Sequence, residues 1–171
     1  MSVTTRLFAL DDAPAMAALL RDNREFLEPT DPVRPDEYFT DDGQRQVIVD
    51  VLRQWENGFA LPHVILDGDR IVGRITLTGI VRGAFQSAAL GYWVAADVNG
   101  RGIASTAVAR ICRVAFDELD LHRLEAGTLV SNTASQRVLQ KNGFVQYGSA
   151  PGYLHIAGRW QDHLLFQRLS S

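Results

Sequence analysis

The spacing of apolar residues along the 171-residue chain predicts four helices. We place them over about ten residues capped by Asp11 or Asp12, and over 44–57, 101–119 and 133–142. Glycine at positions 58 and 143 ends two of these helices. The residues expected to face the core are Met16, Leu19 and Leu20 in the first helix, Val47, Val51, Leu52 and Trp55 in the second, and Ile103, Ala107, Ile111, Val114 and Ala115 in the third.

Shorter apolar runs predict seven strands, over 4–10, 63–66, 70–78, 88–95, 122–130, 144–148 and 164–169. Asp67-Gly68-Asp69 joins the second and third strands as a hairpin turn. Residues 23–40 hold three prolines and are expected to stay irregular, and such a long irregular run is more often functional than idle. The element order β-α-α-β-β-β-α-β-α-β-β predicts an α/β layered fold, not a doubly wound Rossmann domain. Its central sheet would be mixed and mostly antiparallel, with about seven strands and helices on both faces.

The composition is that of a soluble globular protein, with 46% hydrophobic and 22% charged residues. Because no repeat or Gly/Ser linker interrupts the chain, residues 1–171 are expected to form a single domain. The lone Cys112 excludes an internal disulfide and any zinc site built on cysteines. No apolar run approaches the roughly 20 residues that span a bilayer, and the first residues form no apolar signal region. A cytoplasmic location without membrane contact is therefore expected.

Charge is distributed unevenly along the chain, whose net charge is −3. Residues 1–60 hold 12 acidic side chains and six arginines, whereas residues 61–171 carry a net charge of +3. The negative total argues against direct binding of nucleic acid. The first part could attract a cationic partner while the remainder tolerates an anion. The alternative is that both parts are ordinary solvated surface.

Residues 92–105 combine a strand end, a loop with Gly100 and Gly102, and the start of a long helix on small residues. The first N–H groups of a helix have no intrahelical partner and lie at the positive end of its dipole, so this start suits a phosphate. The glycine spacing matches neither a Walker P-loop nor a G-x-G-x-x-G loop. On the residues alone, an ordinary capping turn is an equally good interpretation.

Three blocks of sequence supply a context for this loop. Asn99-Gly100-Arg101-Gly102-Ile103-Ala104 resembles the acetyl-CoA pyrophosphate loop of the GNAT superfamily of N-acetyltransferases, (Gln/Arg)-x-x-Gly-x-(Gly/Ala), with Asn in the first place. Residues 122–144 resemble the Asn-x-x-Ser … Leu-x-Lys-x-Gly-Phe block of the branch that contains the ribosomal-protein alanine N-acetyltransferases. Residues 153–163 resemble the hairpin near the C-terminus of that branch. The resemblance is strong over 88–163 and loose in the first third of the chain.

This resemblance implies that strands 88–95 and 122–130 part, and that the pantetheine arm of acetyl-CoA, the cosubstrate, lies between them. Backbone at Trp93 and Val94 would pair with that arm, and one N–H would polarise the thioester carbonyl, because acyl transfer passes through an oxyanion. Asn132 would hydrogen-bond the cofactor or order nearby backbone, and Ser135 would return a proton to the leaving thiolate. The pyrophosphate loop would comprise Asn99, Gly100, Arg101, Gly102, Ile103, Ala104 and Ser105.

Some of these residues have structural alternatives. Asn132 or Ser131 could cap the helix that follows, and Thr133 with Gln136 has the form of a capping box. Cys112 lies among apolar residues at mid-helix, where packing is a better interpretation than nucleophilic catalysis.

The general base stays open at this point, because strand 88–95 carries no carboxylate. Glu125 lies on the next predicted strand, but Arg123 on the same face could pair with it. Asp162, His163 and a chain of waters are the other candidates. No metal site is predicted, because His155, Asp162 and His163 lack the tight spacing of metal ligands.

These observations predict an N-acetyltransferase that moves acetyl from acetyl-CoA to a primary amine by direct attack, without a covalent enzyme intermediate. The expected acceptor is the N-terminal α-amine of a protein or peptide. The alternatives are a small amine or antibiotic as acceptor, or a catalytically silent CoA-binding module. The protein would act as a monomer or homodimer.

The segment over residues 22–42 is the candidate for contact with the acceptor. Its acidic side chains could steer a basic partner such as a ribosomal protein. Its apolar side chains would either flank the amine or pack the segment onto the sheet, and they are Phe26, Leu27, Tyr38 and Phe39.

Overall fold

A computed structural model describes residues 2–171, which build one seven-stranded sheet flanked by helices. The strands are β1 (Val3–Leu7), β2 (Leu61–Asp67), β3 (Arg70–Val81), β4 (Ser87–Val94), β5 (Arg123–Leu129), β6 (Val145–Ile156) and β7 (Arg159–Leu169). They lie in the order β1-β2-β3-β4-β5-β7-β6. Neighbours are antiparallel except β4 and β5, which are parallel. The mixed, mostly antiparallel sheet of the predicted fold class is confirmed.

The helices are α1 (Ala13–Asp22), α2 (Arg24–Leu27), α3 (Asp41–Glu56), α4 (Ile103–Arg113) and α5 (Thr133–Lys141). A π-helical turn over Val114–Glu118 continues α4, so the long helix predicted over 101–119 is present with a change of winding. Within residues 2–171 no helix has the length and apolar character needed to cross a membrane.

The segment over residues 23–40 is more regular than the sequence predicts. It contains α2 and two 3₁₀ turns, Glu28–Thr30 and Asp36–Phe39. Each of these elements has only three or four residues, which is too short to produce a helical repeat of apolar positions.

Strand lengths also differ from the prediction at both ends of the chain. The first strand ends at Leu7 because residues 10–12 form a 3₁₀ turn, in which the Asp12 carboxylate accepts hydrogen bonds from Arg6 and from the Ala9 N–H. The last two strands are much longer than predicted, at 12 and 11 residues. Most of β6 is exposed, so its sequence lacks the apolar alternation of a half-buried strand.

The core lies between the sheet and the helices, as the apolar stripes of α1 and α4 predict. Met16, Ile103 and Ile111 are each no more than 1% exposed. The expectation for α3 was partly wrong. Its buried residues are Gln44 and Ile48, whereas Trp55 is 40% exposed. The Gln44 amide tolerates burial because it donates a hydrogen bond to the Tyr38 carbonyl at 2.6 Å.

The sheet opens at its parallel pair. In the described part of the chain, β4 and β5 pair through three residues on each strand, Ser87–Ala89 with Arg123–Glu125. Beyond these, β4 stays paired with β3 as far as Val94, and β5 stays paired with β7 as far as Leu129. Residues 90–94 of β4 therefore face a gap, and the parting of these two strands that the resemblance implied is observed.

Candidate active site

The gap between β4 and β5 leads into a cavity of about 480 Å³, here called the gap cavity. Its walls come from the end of β4, the loop and first turn of α4, and the first turns of α5. The structure brings together on these walls all the predicted site residues except Arg101: Trp93, Val94, Asn99, Gly100, Gly102, Ile103, Ala104, Ser105, Asn132 and Ser135. Tyr92, Phe26 and Leu27 also line it.

The loop before α4 presents unpaired backbone donors to this cavity. Gly100 and Gly102 adopt φ values of 77° and 80°, which glycine reaches without strain. The first hydrogen bond of the helix runs from the Thr106 N–H to the Gly102 carbonyl at 3.0 Å. Among residues 2–171, the N–H groups of 102–105 have no partner. Four convergent N–H groups at the positive end of α4 suit a phosphate or diphosphate.

The side chains of this loop have other partners. Asn99 Oδ1 accepts a hydrogen bond from the Gly100 N–H at 3.1 Å, so it shapes the loop. The Arg101 guanidinium lies 3.5 Å from Asp67 Oδ2, away from the cavity walls. The Ser105 hydroxyl accepts a hydrogen bond from the amide of Asn142, the residue that follows α5. What the loop offers a ligand is therefore its backbone.

Asn23 anchors the approach to this loop, a role that the sequence analysis missed. Its side chain is 6% exposed. The amide donates to the Leu19 carbonyl at 2.8 Å, and Oδ1 accepts from the Ala96 N–H at 2.8 Å. The end of α1 is thereby tied to the segment between β4 and the loop, 73 residues later in the chain. No local sequence signal reports a contact of that range.

The backbone of β4 alternates between two neighbours. Ala95 donates its N–H to the Val72 carbonyl of β3 at 2.8 Å. Since successive N–H groups of a strand point to opposite sides, those of Val94 and Tyr92 face the gap. The Trp93 carbonyl lies against Gly73 of β3, where an added Cβ would come within 2.2 Å of it. The gap-facing backbone is therefore that of Tyr92 and Val94, and the backbone of Trp93, which the resemblance placed at the gap, faces β3 instead.

A hydroxyl pair closes one side of the gap cavity. The Tyr92 and Ser135 hydroxyls lie 2.8 Å apart, and the Tyr92 hydroxyl is also 3.2 Å from the Ser135 carbonyl. Burial raises the pKa of Tyr92 to about 12, so the phenol stays protonated at neutral pH. Asn132 caps α5, because its Oδ1 accepts from the Ser135 N–H at 3.2 Å. Asn132 therefore has the capping role that was its structural alternative, and it also lines the gap cavity.

Two further cavities adjoin the same residues. The inner cavity, of about 200 Å³, shares Tyr92, Trp93, Asn132 and Ser135 with the gap cavity and is also lined by His163. The α3 groove, of about 380 Å³, lies between α3 and β3 and is lined by Trp93 and Tyr92 as well. The carboxylate-bearing Asp31 lines both the inner cavity and the α3 groove. The gap thus joins spaces on either side of β4.

Of the three side chains considered for proton transfer, only one lines a cavity near the gap. Glu125 forms an ion pair with Arg123 at 2.5 Å, accepts from the Tyr147 hydroxyl, and lines none of the three cavities. Asp162 accepts the Gly152 N–H at 2.8 Å and is likewise outside them. His163 lies in the wall of the inner cavity. Cys112 is 1% exposed, and burial raises its pKa to about 11, which suits packing rather than a nucleophile.

Within residues 2–171, the side chains of His, Cys, Asp and Glu form no group of three that could hold a metal ion. The chemistry available at the gap is that of backbone N–H donors, hydroxyls, one histidine, one carboxylate and two cationic side chains, Arg137 and Lys141. Such groups can bind an anion, polarise a carbonyl and move protons.

In this structure the sheet separates at its parallel pair of strands, next to a helix start that can bind a diphosphate. This combination is typical of the acyl-CoA-dependent transferases that the sequence resembles. Residues 3–145 match the family model for the acetyltransferase (GNAT) domain. The chain belongs to this family of N-acetyltransferases.

Individual relatives agree with this assignment over nearly the whole chain. The probable N-acetyltransferase YjcK of Bacillus subtilis (strain 168) is 37% identical over 95% of this chain and 91% of its own length. The [ribosomal protein uS5]-alanine N-acetyltransferase of Escherichia coli (strain K12) is 30% identical over 95% of this chain and 85% of its own. The solved structure of Mycobacterium smegmatis RimJ, in complex with CoA-disulfide, superposes with a TM-score of 0.95 at 32% identity, covering 98% of this chain and 82% of that one.

Proposed function

We propose that this protein transfers the acetyl group of acetyl-CoA to the N-terminal α-amine of a protein or peptide, with a ribosomal protein as the preferred class of acceptor. The observation that carries the proposal is the gap between β4 and β5, which connects a row of free N–H groups to a second cavity through Tyr92, Trp93 and Ser135. Support for the acceptor comes from the uS5-alanine N-acetyltransferase relative, and support for the cofactor from the RimJ complex with a CoA derivative.

The cosubstrate would lie along the gap cavity. Its pyrophosphate would accept hydrogen bonds from the N–H groups of 102–105, and its pantetheine arm would take the place of a β5 partner beside Val94 and Tyr92. One of these strand N–H groups would then donate to the thioester carbonyl and stabilise the oxyanion of the tetrahedral intermediate. The Asn132 amide, on the opposite wall, would contact the same arm.

The acceptor would approach from the inner cavity and attack the thioester directly. A bond forms between the amine nitrogen and the acetyl carbon, the bond from that carbon to sulfur breaks, and CoA leaves as a thiolate that the Ser135 hydroxyl protonates. Free thiols have a pKa of about 8.5, so the leaving group needs only modest assistance. No cysteine lines the three cavities in the described residues, which favours direct attack over a covalent enzyme intermediate.

An α-amine suits this site better than a lysine. The unperturbed pKa of an α-amine is about 7.7–8.0, so an appreciable fraction is neutral at pH 7.5. The pKa of lysine, about 10.4, is about 2.5 units higher, so reaching the same neutral fraction costs about 3.5 kcal/mol more. The α3 groove continues from Trp93 along β3 and has room for the residues that follow a peptide's first amino acid.

The segment over 22–42 would attract a basic acceptor. It holds eight acidic side chains against two arginines. Three of the acids, Asp31, Asp36 and Asp41, form ion pairs with arginines. Its apolar side chains were expected either to pack onto the sheet or to flank the amine. Leu27 is buried, whereas Phe26 is 44% exposed at the gap cavity. Attraction by exposed charges is screened by salt, so the rate with a basic peptide should fall as ionic strength rises.

The test compares peptides that begin with Ala or Ser with N-blocked, lysine-bearing versions of the same peptides, at pH 7.5 with acetyl-CoA. Thiol release gives the rate and mass spectrometry gives the acetylated position. We expect acetylation of the free N-terminus. Faster acetylation of the blocked peptides, or activity confined to aminoglycosides or polyamines, would contradict the acceptor. Acetyl-CoA binding without turnover on any amine would indicate a silent CoA-binding module.

A further inference from the structure

His163 is a buried histidine beside the point where the proposed reaction takes place. It lies on β7, is 3% exposed, and lines the inner cavity together with Tyr92, Trp93 and Ser135. The ring of Tyr153 packs against the imidazole with a centroid distance of 5.4 Å. Its position is fixed by the sheet, because His163 pairs with Leu129 of β5 and Ala150 of β6.

The surroundings of the imidazole determine which of its nitrogens carries the proton. Nδ1 lies 3.0 Å from the Gln161 carbonyl oxygen. A carbonyl can only accept, so Nδ1 is the protonated nitrogen of the neutral ring and Nε2 holds the lone pair. Among residues 2–171, Nε2 makes no hydrogen bond. A histidine with one nitrogen anchored and the other available is arranged to accept a proton.

The other titratable side chains at the inner cavity are less suited to this task. Asp31 is held by Arg34, with 3.3 Å between its Oδ2 and the arginine Nε. Tyr92 stays protonated because burial raises its pKa to about 12. Tyr38 also lines the cavity, but a phenol is a poor proton acceptor. The β5 wall of the cavity, formed by residues 126–129, has no titratable side chain.

We infer that His163 Nε2 accepts the proton that the acceptor ammonium must lose before it attacks acetyl-CoA. This assignment rests on the proposed function. The ammonium loses one proton to Nε2, which passes it to solvent, and the resulting neutral amine forms its bond to the acetyl carbon. A second proton leaves the nitrogen as the tetrahedral intermediate collapses, and the thiolate takes up one proton through Ser135. The balance is one amide, one CoA thiol and one proton released per turnover.

The main experiment compares the wild type with His163→Gln, using an Ala-starting peptide over a range of pH. We expect kcat/KM for the peptide to fall roughly 100-fold or more, within the usual contribution of a general base. We also expect the acid limb that remains in the variant to follow the ionisation of the peptide amine alone, at about 7.7–8.0, and the Kd for acetyl-CoA to change less than about twofold. In His163→Ala, added imidazole should restore part of the rate in proportion to its concentration, which a structural role would not produce.

His155→Gln is the matched control, because His155 is exposed on the neighbouring strand and packs against Trp160. It should keep the wild-type rate and pH profile. If His163→Gln does not fold, the ¹⁵N spectrum of the labelled wild type still decides: a proton on Nε2 instead of Nδ1 overturns the inference. An active wild type with an unaffected, folded His163→Gln overturns it too. A wild type that acetylates no amine overturns the proposed function as well.

Discussion

The hydroxyl of Tyr92 lies 2.8 Å from the hydroxyl of Ser135, across the gap where β4 and β5 separate. These residues are 43 positions apart, one on a strand and one in the first turn of α5. Both hydroxyls are protonated at neutral pH, because burial raises the pKa of Tyr92 to about 12. The Tyr92 O–H can donate to the Ser135 Oγ or to the Ser135 carbonyl, and when it donates to Oγ the proton of the Ser135 hydroxyl is available to a third group. That group would be the sulfur of the leaving thiolate.

Removing the Ser135 hydroxyl should slow the reaction without weakening cofactor binding. We expect Ser135→Ala to lower kcat roughly 10- to 100-fold, at or below the usual contribution of a general acid. Tyr92→Phe should have a smaller effect of the same kind, because Ser135 remains. The measurement is kcat with a saturating peptide beside the Kd for acetyl-CoA. Ser131→Ala, an exposed serine just before α5, is the control. If the rate of Ser135→Ala is unaltered, the Ser135 hydroxyl has only a structural role.

The loop before α4 can be tested with a change that blocks its free N–H groups. In Gly102→Glu, a carboxylate would stand where the pyrophosphate is expected, and we predict that the thermal shift caused by acetyl-CoA disappears. Gly58→Glu is a close control, since its φ of 78° matches the 80° of Gly102 and neither position has atoms within 4 Å of an added Cβ. Both variants carry the same backbone strain, but only one should lose the shift. Retention of the shift in Gly102→Glu would mean that the cofactor lies elsewhere.

Asn23 should support both stability and cofactor binding. Asn23→Ala removes the hydrogen bonds to Leu19 and Ala96, and we expect the free energy of unfolding to fall by about 1–3 kcal/mol. The Kd for acetyl-CoA should rise as well, because the segment leading to the loop loses its anchor. Denaturant unfolding and a binding titration measure the two effects. Asn57→Ala, exposed at the end of α3, should change neither, and a stable Asn23→Ala with normal binding would contradict the anchoring role.

Because of His63 on β2, we expect the free energy of unfolding to decrease in acid. Burial lowers the pKa of His63 to about 4 from its usual 6.5, and its enclosed Nδ1 has no hydrogen-bond partner among residues 2–171. The folded state therefore favours the neutral ring. The resulting stability is complete above pH 6.5 and is lost as the pH falls towards 4, by about 3 kcal/mol in all.

The measurement is the free energy of unfolding at several pH values between 7.5 and 4. His63→Phe keeps an aromatic ring that cannot take up a proton, so its stability should depend less on pH over this range. His155→Phe, at an exposed histidine, should retain the wild-type dependence. A wild-type curve that stays flat from pH 6.5 to 4.5 would show that His63 is free to ionise in the folded protein.

Local sequence patterns were sufficient for the elements that position the site. The apolar stripe of α4 and the glycines before it placed the helix and its loop, and the Asn-x-x-Ser spacing placed Asn132 and Ser135 on one face of α5. These features depend on residues within about four positions of one another, which is the range over which a helix repeats. Where a pattern spanned fewer residues, as in α2, or faced solvent, as in β6, the prediction was wrong or incomplete.

The sequence by itself determined the family and the places of most helices and strands, because motifs and apolar repeats lie within short stretches of the chain. The tertiary structure decided which side chains meet at the gap. It paired Tyr92 with Ser135 and Asn23 with Ala96, and it left His163 Nε2 without a hydrogen-bond partner among residues 2–171. Most of these relations span tens of residues, and they depend on how strands part and helices pack over them. No spacing along the chain carries that information, since a hydrogen bond depends on distances of about 3 Å between atoms that only the packed structure brings together.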